Sequence, residues 1–241
     1  MEKLEGSPSL FVRKLRDPVF FVRALADFQT WIHRFNTGPD LVLLLRLLSE
    51  SWDRHGSLGA HFLSFHSVDA VNFENALNQL ILQWRSLAPE AAGTSFQYFL
   101  TAPQSGSCCK RWCMFLRWMG RKDEIDPGLW MADSPLARTF PFNRALRSDQ
   151  LVIPLDTHTG RISQYLRLTR RKSLNWKAAL EVTDALRLCS PDDPVRYDFA
   201  LARMGILDLC QKKYKKEVCE KCQLLPACHY AQEKEKKGDF G

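Results

Sequence analysis

The 241-residue chain has no apolar run long enough to cross a bilayer. Its most hydrophobic stretch, LVLLLRLL from Leu41 to Leu48, is too short and carries Arg46, so it reads as a buried helix. The N-terminus, MEKLEGSPSL, is neither a secretory signal nor a transit peptide. Phosphate-cradling glycine loops, dinucleotide fingerprints and Ser/His/Asp arrangements are also missing, so those chemistries have no signature here. His33, His55, His61 and His66 show no metal-ligand spacing. There is no internal repeat and no low-complexity tract. Without a secretory signal, and in a chain this large, the eight cysteines do not read as a disulfide framework. The expectation is a non-membrane, cytoplasmic protein of one substantial domain or two small ones.

Four of those cysteines lie close together near the chain end. Cys210, Cys219, Cys222 and Cys228 follow the pattern C-x8-C-x2-C-x5-C, within a run of Lys and Glu that could not build an apolar core. Four thiols so placed can share one inorganic centre, which would then order the segment. Thiolates hold both Zn²⁺ and iron–sulfur clusters. Structural zinc sites usually present two C-x2-C pairs across a longer gap. Here there is one close pair with a single cysteine on either side. That spacing suits a [4Fe–4S] cubane better, with zinc as the alternative. Cys108, Cys109, Cys113 and Cys189 read as small buried hydrophobes.

Net charge is +7 with a pI near 9.0. Three basic groups stand out: Lys110, Arg111, Arg117, Arg121 and Lys122; Arg161, Arg167, Arg170, Arg171 and Lys172; and Lys212, Lys213, Lys215 and Lys216 inside the cysteine loop. A polyanionic partner would use such residues to neutralise phosphates. The plainer reading is a set of solvated faces.

Hydrophobic periodicity predicts an all-α chain. Phe20, Phe21, Ala24, Phe28, Trp31, Ile32 and Phe35 recur at three- and four-residue steps. So do Phe73, Leu77, Leu80, Ile81 and Trp84, and Trp176, Ala179, Leu180, Val182, Thr183 and Leu186. Pro18 marks a helix start. Thr37-Gly38-Pro39-Asp40 ends one helix and caps the next, and residues 190–194 (SPDDP) make another break. Tyr197 to Leu209 reads as the last helix, running into Cys210. A Gly/Ser turn at residues 102–107 leads into an aromatic helix over 109–120, where Trp112, Phe115, Trp118 and Met119 read as core. Residues 122–149, with three prolines, read as a surface insertion. The organisation expected is a helical region over 1–101, a second over 102–209, a cysteine loop over 210–228 and a charged tail over 229–241.

The second strong signal is LVIPLDTHTGRI, residues 151–162. An apolar run ends at Asp156 and a helix begins there. Asp at an N-cap accepts hydrogen bonds from free backbone N–H groups and complements the helix dipole. The same carboxylate could stand ionised at the mouth of a groove; both readings can hold together.

Taken together, these elements resemble the helix-hairpin-helix DNA glycosylases of the endonuclease III and MutY type. Those proteins carry a Gly-rich hairpin, then a D-T-H-type motif, then a C-x6-C-x2-C-x5-C cluster loop. Asp156-Thr157-His158 matches the motif, and Cys210, Cys219, Cys222 and Cys228 match the loop with two extra residues in the first gap. The chain looks closest to the branch known as domain of unknown function 2400, through GSCCKR at 106–111, MFLRWM at 114–119, PLDTHTGRI at 154–162 and DFAL at 198–201. The resemblance implies an all-α glycosylase-like fold with a C-terminal iron–sulfur loop. It implies a monomeric, DNA-binding base-excision repair protein that cleaves the glycosidic bond of an extruded base with Asp156. Gly106, Ser107, Lys110, Arg111, His158 and Arg161 would contact DNA, with Cys210, Cys219, Cys222 and Cys228 on the [4Fe–4S] cluster or, alternatively, zinc.

Three departures qualify this. An ungapped alignment puts Gln104 at the hairpin's first glycine and Cys108 at the position of the Schiff-base lysine, with Lys110 two residues on and pointing elsewhere. Lyase activity is therefore doubtful, unless a shifted alignment brings Lys110 to that position. The gap to Asp156 is longer than usual by about the 122–149 segment. Members of this branch carry more residues ahead of the segment resembling Ser7-Pro8, so the N-terminus is expected to be truncated. The alternative expectation is a non-catalytic nucleic-acid-binding protein with a structural metal centre.

Overall fold

The computed structural model describes residues 6–88, 92–211 and 213–237. Its secondary structure is mostly helical, as expected, with one two-stranded sheet among the described residues. The chain divides into two units. The first comprises Met1–Ala70, Glu74–Ser105 and Pro135–Ala145; the second comprises Val71–Phe73, Gly106–Ser134 and Leu146–Gly241.

In the first unit, Ser7 caps α1 (Pro8–Lys14) and Asp17 caps α2 (Pro18–Asp27), each with proline in the first turn. The periodicity of Phe20 to Phe35 predicts one continuous helix, but α2 stops at Asp27. Beyond it, β1 (Ile32–His33) pairs antiparallel with β2 (Asn36–Thr37) across an Arg34-Phe35 turn in which Arg34 has φ 57°. Ile32 and Phe35 are consequently exposed. The hairpin delivers Thr37 to the start of α3 (Gly38–His55). There the Thr37 hydroxyl accepts from the Asp40 N–H, and the Asp40 carboxylate accepts from the Thr37 N–H at 2.7 Å. Next come α4 (Leu58–Ser64), α5 (Glu74–Leu87) and the short α6 (Thr94–Gln97). One core cluster joins Phe11, Leu15, Ala24, Phe28 and Val42. Phe62, Leu63, Leu77, Leu80, Ile81 and Trp84 are also fully buried.

A buried polar chain runs through this apolar setting. Ser51 Oγ donates to the Leu47 carbonyl and receives the Trp84 indole N–H at 2.9 Å. His61 bonds Ser51 Oγ through Nδ1 and Gln83 through Nε2. The His55 ring stacks on His61 at 3.9 Å. Burial holds both imidazoles below their ordinary pKa, with Arg54 adding to the effect.

The second unit holds α7 (Lys110–Gly120), α8 (Thr157–Tyr165), α9 (Trp176–Arg187) and α10 (Asp198–Ile206), and an extended run, 151–155, that is buried throughout and bonds α9 through the Ile153 N–H on Thr183 Oγ1. α11 (Lys216–Cys219) and α12 (His229–Lys236) follow, so α10 is not the last helix. The expected charged tail is ordered through residue 236: Ala231 is buried, and Tyr230 stacks on Tyr165 of α8 at 4.2 Å. The cysteine loop and α12 belong to the same unit as α7 and α8 rather than forming separate regions.

The expectation of a surface insertion over 122–149 is corrected. Residues up to Ser134 fold within the second unit and 135–145 within the first. In the second unit Arg117 donates to Asp126 at 3.0 Å and to Asp198 at 2.6 Å, with all three side chains buried. Arg121 adds bonds to Asp126, Asp193 and Asp123. Trp130 is buried against Phe115, its N–H bonded to Met119 O. In the first unit Arg144 donates to the Ser64 carbonyl. Prolines had suggested a loop, but pairing of charges far apart in sequence was not visible in it. Trp118 is 40% exposed and Cys189 is exposed, so neither is the core residue expected.

The histidine pair gives a pH dependence. Each folded-state pKa lies below 6.5, so imidazolium is disfavoured by folding, and stability present above that pH is lost as pH falls through it. The urea midpoint should drop between about pH 7 and about pH 5.5, and drop less in His55→Gln. Equal drops in both proteins would show that this pair does not titrate as argued.

Candidate active site and thiol cavity

Asp156 is the N-cap of α8, in the position its sequence predicts. Oδ1 accepts from the N–H groups of His158 and Thr159, both at 2.8 Å. Oδ2 accepts from Lys110 Nζ at 2.9 Å. Burial pushes the carboxyl pKa up, but the Thr159 N–H, the Lys110 ammonium and the His158 N–H together bring it below the ordinary carboxylate value. The group is ionised at neutral pH, and its side chain is 19% exposed. A reacting molecule can therefore reach a fixed negative charge.

The ungapped alignment points Lys110 elsewhere, whereas the structure sets it beside Asp156. Gly106 has φ 77° and Cys109 φ 49°. These two left-handed residues turn the chain so that α7 begins at Lys110, and its first side chain faces the start of α8. Gly is the natural residue for the first such position; Cys109 accepts the conformation with its N–H on Ser107 Oγ. The turn is tied to α9 by the Trp176 N–H on Gly106 O and by a bridge between Ser107 and Asn175. Cys108 donates to Leu155 O, one residue before Asp156.

The other predicted DNA contacts separate. Arg111 is exposed on α7. His158 turns toward α10: a Cβ at Gly205 would lie 2.6 Å from His158 Cβ, so only glycine permits that approach. Its Nδ1 is buried with no partner among the described residues. Arg161 is half-buried and donates to the Cys210 carbonyl at 3.1 Å, which joins α8 to the cysteine loop.

Asp198, in the DFAL motif at the start of α10, belongs to the site as well, which its motif alone does not indicate. Burial raises its carboxyl to about 6; Arg117 opposes the rise and the nearby Asp156 charge adds to it. The buried ionic cluster under α7 thus feels the Lys110–Asp156 pair. Its signal was an aspartate in an otherwise apolar helical stretch.

Cys210, Cys219, Cys222 and Cys228 line one cavity of about 40 Å³, together with Leu209, Val218, Leu225, Tyr165 and Tyr230. Burial pushes the Cys210 thiol up to about 11, against the pull of Arg161 and with help from the other three thiols. Cys228 is raised for the same reasons of burial and neighbouring cysteines. A cationic centre beside Cys210 and Cys228 would oppose that rise and favour their thiolates. Among the described residues no three His, Cys, Asp or Glu side chains converge closely enough to hold a single ion.

A comparison with protein families matches residues 1–207 to the family described as Protein of unknown function (DUF2400). The chain belongs to the DUF2400 family. The matched range includes Lys110, Asp156 and Asp198 and ends before Cys210, so the DUF2400 match covers the charged site and not the thiol cavity. No curated protein and no solved structure matches the chain. No helix among the described residues is long and apolar enough to cross a membrane.

Asp198 gives a signed prediction. Its folded pKa of about 6 exceeds the unfolded 3.8, so between those values the folded state holds a proton that the unfolded state has released. Its contribution to stability must fall as pH rises through that window, by roughly 3 kcal/mol in all. Denaturant titrations at stepped pH should show this loss in wild type and not in Asp198→Asn. Parallel profiles would refute the assignment.

Proposed function

We propose that this chain binds DNA and breaks the N-glycosidic bond of a base extruded from the helix stack. The observation that carries the reading is the Asp156 carboxylate, ionised, reachable and fixed by two backbone N–H groups and Lys110. As the C1′–N bond breaks, its electrons leave with the base and positive charge grows on the sugar. A preorganised carboxylate beside C1′ stabilises that charge, and water completes the substitution. The helix-hairpin-helix glycosylase resemblance supplies the same role for Asp156, and the net charge of +7 suits a polyanion.

Lys110 supports a second reading. The Lys110 ammonium 2.9 Å from the carboxylate can pass a proton to it and, as the neutral amine, attack C1′ in place of water. Attack displaces the base and leaves an N-glycoside of Lys110; cleavage of the C1′–O4′ bond, with a proton passing to O4′, opens the sugar to the Schiff base from which elimination cleaves the strand. The lysine that the ungapped alignment discarded is thus the one beside Asp156.

The four cysteines are proposed to hold a [4Fe–4S] cluster, supported by their shared cavity and their spacing along the chain. When bound, the cluster would order the loop and its lysines and do no chemistry on the base. Zinc, the alternative expected from the thiols, would require the sulfurs to draw closer together than they lie here.

Asp156→Asn keeps a good N-cap, so the helix should survive. Against a panel of lesion-bearing duplexes it should lose about 100-fold or more in base release with little change in DNA affinity. Base release unaffected by the change would refute the role of Asp156. No release by wild type from any duplex, with binding retained, would leave a binding protein. Borohydride should trap a covalent DNA adduct with wild type and not with Lys110→Ala if the lyase reading holds.

Anaerobically purified protein should be brown and contain iron and sulfide, and Cys222→Ser should lose both. Colourless protein with stoichiometric zinc would assign the cavity to zinc instead.

A further inference from the structure

A second basic feature lies beyond the other end of α8. Gln164, Arg167, Thr169, Arg170, Arg171 and Lys172 line an open cleft of about 590 Å³, with Glu233 of α12 at its edge. Arg170 and Lys172 are exposed and have no acidic partner among the described residues. The other two guanidinium groups carry carboxylates: Arg167 pairs with Glu233, and Arg171 bonds Glu181 at 2.7 Å. Thr169 Oγ1 donates to the second oxygen of Glu181. Two of the guanidinium groups that line the cleft thus already hold a carboxylate.

The backbone strengthens the case. α8 ends in a Schellman turn: Arg167 N–H bonds Gln164 O, and Leu168 N–H bonds Ser163 O. The residue at the left-handed position of this motif is normally glycine. Here it is Arg167, with φ 56°. A long side chain at a position that favours glycine costs stability, and such costs gather where a side chain is needed for function. Gln164 Nε2 on the Arg171 carbonyl at 2.8 Å folds the following loop back over the helix end. The fold therefore holds four cationic side chains around one opening.

We propose that this cleft binds consecutive backbone phosphates of a polynucleotide, apart from the Lys110–Asp156 site, and that Glu233 occupies the position a phosphate takes on Arg167. Planar guanidinium groups recognise phosphate oxygens in pairs, as they do carboxylates. Binding exchanges the Glu233 carboxylate for a phosphate that carries no chain-tethered rival. The inference rests on the nucleic-acid half of the reading above and not on base excision.

The test uses the full-length protein and an undamaged duplex, by fluorescence anisotropy across a salt series, so that turnover plays no part. Arg170→Ala/Lys172→Ala should weaken binding about tenfold or more and make the slope of log affinity against log salt less steep by about two. Arg167→Gly should weaken binding while leaving the melting temperature unchanged or raised, since glycine relieves the turn. That combination separates lost contact from lost fold. Glu233→Gln should tighten binding by more than Glu124→Gln, a change of equal charge outside the cleft. Unchanged affinity and slope in both basic variants would overturn the proposal. So would an equal or larger loss of binding to phosphatidylglycerol vesicles, which would assign the cleft to a lipid surface. Absence of base release in the separate lesion assay leaves this result untouched.

Discussion

The second unit is organised around one ionised carboxylate. Asp156 satisfies two of the N–H groups that open α8 and neutralises Lys110 at the start of α7. Two helices distant in sequence are thereby set in register at their N-terminal ends. A carboxylate fixed by three donors keeps its charge without water and needs no rearrangement when a cation forms nearby. The same bonds serve architecture and leave a fixed, partly exposed negative charge.

α8 carries that arrangement outward. Near its start His158 meets Gly205 of α10 at a separation only glycine allows. One turn on, Arg161 grips the Cys210 carbonyl, and at the end Tyr165 stacks on Tyr230 beyond Cys228. The helix that begins with the acid thus forms one wall of the thiol cavity. The Arg161–Cys210 and Tyr165–Tyr230 contacts hold the loop against α8, and through α8 against the charged pair. The position of the thiols is a mechanical matter for the site even where they do no chemistry.

Beneath α7 the ionic cluster of Arg117, Arg121, Asp126, Asp193 and Asp198 replaces part of an apolar core. Buried charges add little net stability over a hydrophobic filling, but removing one partner is expensive. Such a cluster fixes which segments meet. Here it holds residues 121–126 and the starts of the turns before α10 against one helix face, where greasy contacts would allow slippage.

Local chemistry was legible along the chain. Proline and Asp or Ser at helix starts, the Thr37–Asp40 box, the N-cap role of Asp156 and the apolar faces of α5 and α9 all follow from neighbours within four residues. The halt of α2 before the short hairpin was not, because the periodicity of Trp31, Ile32 and Phe35 imitates a helix while the chain turns at Arg34. Nor was the Lys110–Asp156 pair, which spans 46 residues and depends on two left-handed turns that an ungapped alignment passes over. The sequence determined which residues could carry charge, cap helices or supply thiols. Only the tertiary structure decided which charges meet, because an ion pair, a shared cavity and a cleft depend on distances between segments that no local propensity encodes.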